Sequence, residues 1–205
     1  TVFTDGVALD NAMGARASTI AGRGVRPVFG ASAGAALYRG DMLRDVGLFD
    51  ERFFSYLEDA DLAWRARWRG WRAVHQPAAR VLHEYSATGG HNSPFKTGLI
   101  SRNRVWLLYK NMPESLLCRY FAEVVRYDVL AVGYALSRGD RHLLRGRIEG
   151  LRRLGTLTTD RRMALTSARL HPDEMARLLA PALSPRTALR YRRRLDALLR
   201  PAHSA

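Results

Sequence analysis

The chain has 205 residues, 47% hydrophobic and 25% charged, with a formal net charge of +14. This composition excludes a disordered or collagen-like polymer and fits one globular domain, with at most an appendage. The single cysteine, Cys118, excludes an intramolecular disulfide and a cysteine-based zinc site; without a run of 18 apolar residues no membrane-spanning helix is expected, and the opening residues do not read as a signal peptide.

The charge is unevenly spread. Arginine supplies 31 of the 33 basic residues, and the only lysines are Lys96 and Lys110. Residues 1–118 carry a net +4 and residues 119–205 a net +10. Positive charge of this kind attracts anionic lipid, nucleic acid or phosphorylated substrates, but it does not determine fold.

Residues 1–26 are rich in Gly, Ala and Arg, with turn signals at Asp5-Gly6 and Asp10-Asn11, and read as loop. The run from Gly30 to Ala36 has almost no bulky side chain, so its backbone can approach a ligand or another backbone closely. A short strand is expected at about 34–39. Gly40-Asp41 then opens a brief helix with Asp41 as its cap and Gly47 as its stop. An aromatic loop, Leu48 to Tyr56, precedes a helix from Glu58 to Arg69 that ends before Gly70. Trp64 and Trp68 stand one turn apart in it, so one face should carry both into a core. Two short strands are expected at Trp71–His75 and Ala79–His83, followed by a polar loop from Ser86 to Pro94. Beyond residue 95 the pattern is helical: Phe95–Asn111, a long helix from 113 to 136, and Arg-rich helices at 140–154, 172–180 and 185–200. The expected class is therefore α/β, a partial mixed sheet with a helix packed on it, followed by a helical C-terminal region. The division falls at 1–112 and 113–205.

The most informative segment is Phe53-Phe54-Ser55-Tyr56-Leu57-Glu58-Asp59-Ala60-Asp61. Three carboxylates fall within four residues at a helix start, beside an apolar wall. Acids there favour the helix dipole, each by roughly 0.3–1 kcal/mol, and Asp61 with Arg65 makes a surface pair at i,i+4. The same cluster also suits general-base chemistry on a hydroxyl or binding of a hard cation such as magnesium.

Taken together, Gly30–Arg39, Val46–Arg65, Gly70-Trp71, Pro77, His83, Arg102-Asn103-Arg104 and Lys110-Asn111 form ordered blocks at consistent spacing. They resemble the second half of family 2 glycosyltransferases, in particular the bacterial rhamnosyltransferase-like branch. The resemblance covers about residues 28–112. It implies a partial A-type glycosyltransferase fold and inverting transfer from a nucleotide-diphosphate sugar, with rhamnose as the sugar the branch suggests, to a glycan or lipid-linked acceptor. It further implies that Asp59 is the general base. Gly34, Ala35, Asp50, Glu58 and Asp61 would line or support the acceptor site. His83 would meet the donor diphosphate and a divalent metal, magnesium or manganese. The family's donor-binding half, with its Asp-x-Asp motif, has no counterpart before residue 28. The expected identity is therefore the acceptor-side portion of a longer enzyme of polysaccharide or cell-wall synthesis.

The Arg-rich region from 119 onward resembles nothing specific. It reads either as a solvated helical face or as a peripheral contact with anionic lipid on the cytoplasmic side of the plasma membrane. The alternative function is a non-catalytic Arg-rich module binding nucleic acid or a protein partner, or a degenerate transferase. No nucleic-acid motif supports the first of these, and no nucleic-acid partner is expected.

Overall fold

The computed structural model describes residues 1–16, 18–22, 24–82 and 93–198. The N-terminal stretch is mostly irregular, with a one-turn helix α1 (Ser18–Ala21) and a strand β1 (Arg26–Val28). Three residues cannot establish a period, so β1 leaves no trace in the sequence pattern. In place of the strand expected at 34–39, Ala33–Ala35 form a 3₁₀ turn. Ala and Gly offer little to pack on a pleated neighbour, and a tight turn suits them better. Helix α2 (Gly40–Val46) ends at Gly47 as expected, but its cap is Arg39. Asp41 sits instead in the first turn and pairs with Arg44.

Helix α3 (Glu58–Trp68) carries the acidic cluster, and strand β2 (Ala73–His75) follows it. β1 and β2 pair antiparallel, Arg26 opposite His75 and Val28 opposite Ala73. Among the described residues this ribbon is the whole sheet, so the expected mixed sheet is reduced to two antiparallel strands. Arg67 of α3 anchors it, donating from Nε to the Phe29 carbonyl at 2.7 Å and also to the carbonyls of Val28 and Trp71. Residues 79–82, expected as another strand, have no regular structure. His83, and nearly all of the loop expected from 86 to 94, lie outside the described residues.

The remainder is helical: α4 (Pro94–Asn111), α5 (Glu114–Arg119), α6 (Phe121–Ser137), α7 (His142–Arg152), α8 (Thr158–Thr166), α9 (Pro172–Leu178) and α10 (Pro185–Leu198). The single helix expected from 113 to 136 is broken at Tyr120, whose φ of −106° and ψ of 14° leave the helical region. Helix α8 was not expected, because Thr158-Thr159-Asp160-Arg161-Arg162 shows no apolar stripe.

Helix α4 is the axis of the packing. The Ser93 hydroxyl caps it by accepting from the Lys96 N–H, and Pro94 occupies the first turn, where its missing N–H costs nothing. Helix α7 lies against it at unusually close range. A Cβ on Gly146 would run into the Gly98 carbonyl oxygen, and one on Gly150 would stand 3.0 Å from the Arg102 carbonyl oxygen. The Trp106 indole N–H donates to the Gly150 carbonyl at 3.0 Å across this contact. On the other side, α3 sends Trp64 and Trp68 into the core, as their spacing requires, and Trp68 donates to the Asn111 carbonyl at 2.9 Å. The apolar cluster joins Phe29, Phe53, Met112, Leu116, Leu157 and Met175, residues from both 1–112 and 113–205.

Gly146→Ala is expected to force α7 away from α4 and to destabilise the fold by about 1–3 kcal/mol. A urea-unfolding midpoint unchanged from wild type would contradict this packing.

Candidate active site

The site begins with Asp50. Its carboxylate accepts from the Arg52 backbone N–H at 3.2 Å and from the Arg52 guanidinium at 2.7 and 2.6 Å. This local turn starts a 3₁₀ segment, Glu51–Phe53. Lys110 of α4 donates to the same carboxylate at 2.7 Å. Burial works to raise the Asp50 carboxyl, but the hydrogen bonds from Arg52 and Lys110 outweigh it and hold the group well below the ordinary carboxylate range.

The next residues are strained. Phe54, Tyr56 and Leu57 have φ of 63°, 69° and 68°, a region non-glycine residues rarely occupy. Such positions cost on the order of 1–3 kcal/mol each and persist only where surrounding contacts impose them. Here α4 imposes them. The Asn103 amide, wholly buried, donates to the carbonyls of Phe53, Ser55 and Tyr56 at 2.9, 2.9 and 2.7 Å. Arg102 donates to the carbonyls of Arg52 and Phe53 at 3.1 and 2.9 Å.

From this loop α3 starts with no side-chain cap, Leu57 standing in the left-handed conformation before Glu58. Asp59 orients its own carboxylate. One oxygen accepts from the Ala60 N–H at 2.7 Å and the other from the Ala33 N–H at 3.1 Å. The second bond exists because the small-residue segment comes so near. A Cβ on Gly30 would collide with that of Ala63 on α3. Gly34 and Ala35 follow in the same exposed turn.

Glu58 has a buried oxygen, Oε2, with no hydrogen-bond partner among the described residues. Burial pushes its carboxyl up, its own backbone N–H pulls the other way, and the Asp59 charge adds to the rise. Burial and the charges of Asp59 and Glu58 push the Tyr38 hydroxyl up to about 12, so it stays a proton donor. A cleft of about 400 Å³ opens between Ala33, Phe49, Asp50, Glu51, Phe54 and Glu58. Phe54 is 74% exposed on its wall and meets Phe95 edge-on, with ring centroids 6.2 Å apart.

Of the two roles open to it, Asp61 has the position of a supporting residue. Its side chain is fully buried and accepts from Arg65 at 2.9 Å, Lys110 at 3.0 Å and Asn111 at 2.8 Å. It is absent from the cleft lining, and its pair with Arg65 is buried, where a surface pair was expected. Arg65 extends the same network to the carbonyls of Val46 and Leu48. Of the expected site residues, Asp50 and Glu58 line the cleft, Asp59 is tied to its Ala33 wall, Gly34 and Ala35 continue the turn from Ala33, and Asp61 lies in the foundation. His83 falls outside the described residues. Among the described residues no three His, Cys, Asp or Glu side chains converge as a metal site.

Several site residues had no role assigned from sequence: Tyr38, Asn103, Lys110 and Asn111. Lys110 carried one available signal, a lysine retained where the chain otherwise uses arginine. Its compact ammonium reaches both carboxylates, Asp50 and Asp61, as a single point charge.

No family model matches the chain, and no solved structure does. Two curated sequences do: the N-acetylglucosaminyl-diphospho-decaprenol L-rhamnosyltransferases of Mycobacterium tuberculosis strains CDC 1551/Oshkosh and ATCC 25618/H37Rv. Each is 42% identical over 67 residues. The match spans 33% of this chain and 22% of each relative, so it covers about a fifth of the relatives' length. At a coarse level the likeness supports glycosyl transfer.

Two outcomes follow from the geometry. Lys110→Met leaves Asp50 and Asp61 without their shared cation, and the expected cost is about 3–5 kcal/mol, read as a lower urea midpoint. Asp50 titrates below its unfolded value of 3.8. Its pairing therefore stabilises in full above about pH 4 and is lost as the pH falls through the folded value. Thermal midpoints should drop across that acid window more steeply in wild type than in Asp50→Asn; equal slopes would contradict the pairing.

Proposed function

We propose that this chain forms the acceptor side of an inverting family 2 glycosyltransferase. The observation that carries the reading is the Asp59 carboxylate, held by the Ala33 and Ala60 N–H groups beside a cleft walled by Glu58 and the Phe49 and Phe54 rings. A fixed carboxylate at the edge of a partly apolar opening is what general-base removal of a hydroxyl proton requires.

In this reading the acceptor hydroxyl enters the cleft and gives its proton to Asp59. Its oxygen bonds to the anomeric carbon of the donor sugar as the bond from that carbon to the diphosphate breaks, and the nucleoside diphosphate leaves. Glu58, a residue of the cleft wall, orients the incoming hydroxyl. The exposed Phe54 ring offers an apolar face to a sugar ring. Asp50 holds the loop that presents it, and the Gly34–Ala35 turn borders the acceptor. The names of the mycobacterial relatives favour rhamnose as the sugar and a polyprenyl-diphosphate-linked N-acetylglucosamine as the acceptor. A divalent cation, magnesium or manganese, would accompany the donor diphosphate, with His83 as the residue of this chain proposed to meet it. The same proposal puts the reaction at the cytoplasmic face of the plasma membrane.

A nucleic-acid-binding module is the weaker reading. Arg67, Arg104 and Arg147 are buried on carbonyls and carboxylates, so part of the basic excess is structural. That alternative also assigns no purpose to the strained acidic loop.

In the intact enzyme, Asp59→Asn should lower transfer from a nucleotide-diphosphate sugar by about 10²–10⁴-fold, with the circular dichroism spectrum unchanged. Near-wild-type transfer would remove Asp59 as the base. If Glu58→Gln abolished transfer while Asp59→Asn retained it, the two roles would be exchanged.

A further inference from the structure

Helix α6 is apolar on both sides: Val124 and Ala135 face inward, yet apolar residues also face solvent. It turns its two acids inward. Glu123 accepts from the Thr4 hydroxyl, and Asp128 accepts from Arg104 and Arg147, each at 2.8 Å. Outward it presents Phe121, Val125, Val129, Leu130 and Leu136. Phe121 and Val129 are 66% and 64% exposed. At 1.5 Å per residue this 17-residue helix lays an apolar stripe of roughly 25 Å along the surface. The only charge on that outward half of the helix is Arg126. An exposed apolar stretch of this extent on a folded domain marks a contact surface.

The rim of the stripe identifies its partner. At the C-terminal end, Arg138 and Arg192 of α10 both lie over the Tyr134 ring, 5.8 and 4.6 Å from its centroid. Arg141 and Arg145 stand exposed at the start of α7, next to the exposed Leu144 and Ile148. The nearby acids are occupied: Asp140 accepts from the His142 N–H, and Glu149 faces Arg102 and Arg153. Apolar side chains flanked by exposed arginines complement the two layers of an anionic bilayer, acyl chain below and phosphate above. No helix among the described residues is long and apolar enough to cross a membrane, so such a helix lies in the interface. We propose that the outward face of α6, with its arginine rim, docks on an anionic lipid bilayer. The surface stands on its own geometry; its value for presenting a lipid-linked acceptor rests on the transferase reading.

The test is co-sedimentation of the full chain with vesicles of phosphatidylcholine alone and of phosphatidylcholine mixed with phosphatidylglycerol. The expected result is at least about tenfold stronger partition onto the mixed vesicles, since each basic residue near the surface adds roughly 1 kcal/mol. Val125→Glu combined with Val129→Glu changes only exposed positions and should lose binding to both vesicle types. Arg126→Glu combined with Arg138→Glu should lose the preference for the anionic lipid. The proposal is overturned if the double valine variant sediments as wild type does, which would mean charge alone drives binding. It is also overturned if wild type stays in solution as a dimer that this variant converts to monomer, which would make a second copy the occupant. Asp59→Asn should bind vesicles as wild type does, so failure here is separable from failure of the catalytic reading.

Discussion

The ammonium of Lys110 lies between two carboxylates, 2.7 Å from Asp50 and 3.0 Å from Asp61, and is almost wholly buried. One partner belongs to the loop before the acidic helix and the other to the helix itself, while the lysine belongs to α4. Three separate segments are therefore locked by one charge. Burying ions is expensive, and the arrangement survives because the remaining lone pairs are also met, by Arg52 on one side and by Arg65 and Asn111 on the other. The cleft above inherits its shape from this buried cross.

The lock explains how strained backbone can be tolerated. Phe54, Tyr56 and Leu57 would relax if nothing held their carbonyls, and Asn103 and Arg102 hold them. The strain leaves one aromatic ring in solvent and starts α3 without a cap, both unfavourable for stability alone. Stability given up locally in this way is a common property of functional sites. The N–H groups that orient Asp59 come from two different elements, so the carboxylate direction depends on how closely the small-residue turn approaches α3.

Strong periodicity was legible in the sequence: α2, α3, α4, α7, α9 and α10 fall where residue patterns place them. Trp64 and Trp68 could be assigned to the core from spacing alone. What was not legible depends on tertiary context. The strand expected at 34–39 became a turn, because small residues do not specify a pleat. Asp61 looked like its neighbours Glu58 and Asp59, yet α4 covers it and not them, and no local pattern distinguishes the three. Helix α6 shows a broad apolar surface in sequence, but which half faces the core depends on Arg104 and Arg147, far away in the chain.

The clamp residues of α4 occupy one run of a single helix: Arg102, Asn103, Lys110 and Asn111 act on the loop and on α3, while Trp106 between them meets α7. One residue advances an α-helix by about 100°. A single insertion or deletion between 103 and 110 would swing one half of this set away from the other, even with every side chain retained. The length of α4 is therefore fixed as tightly as its composition.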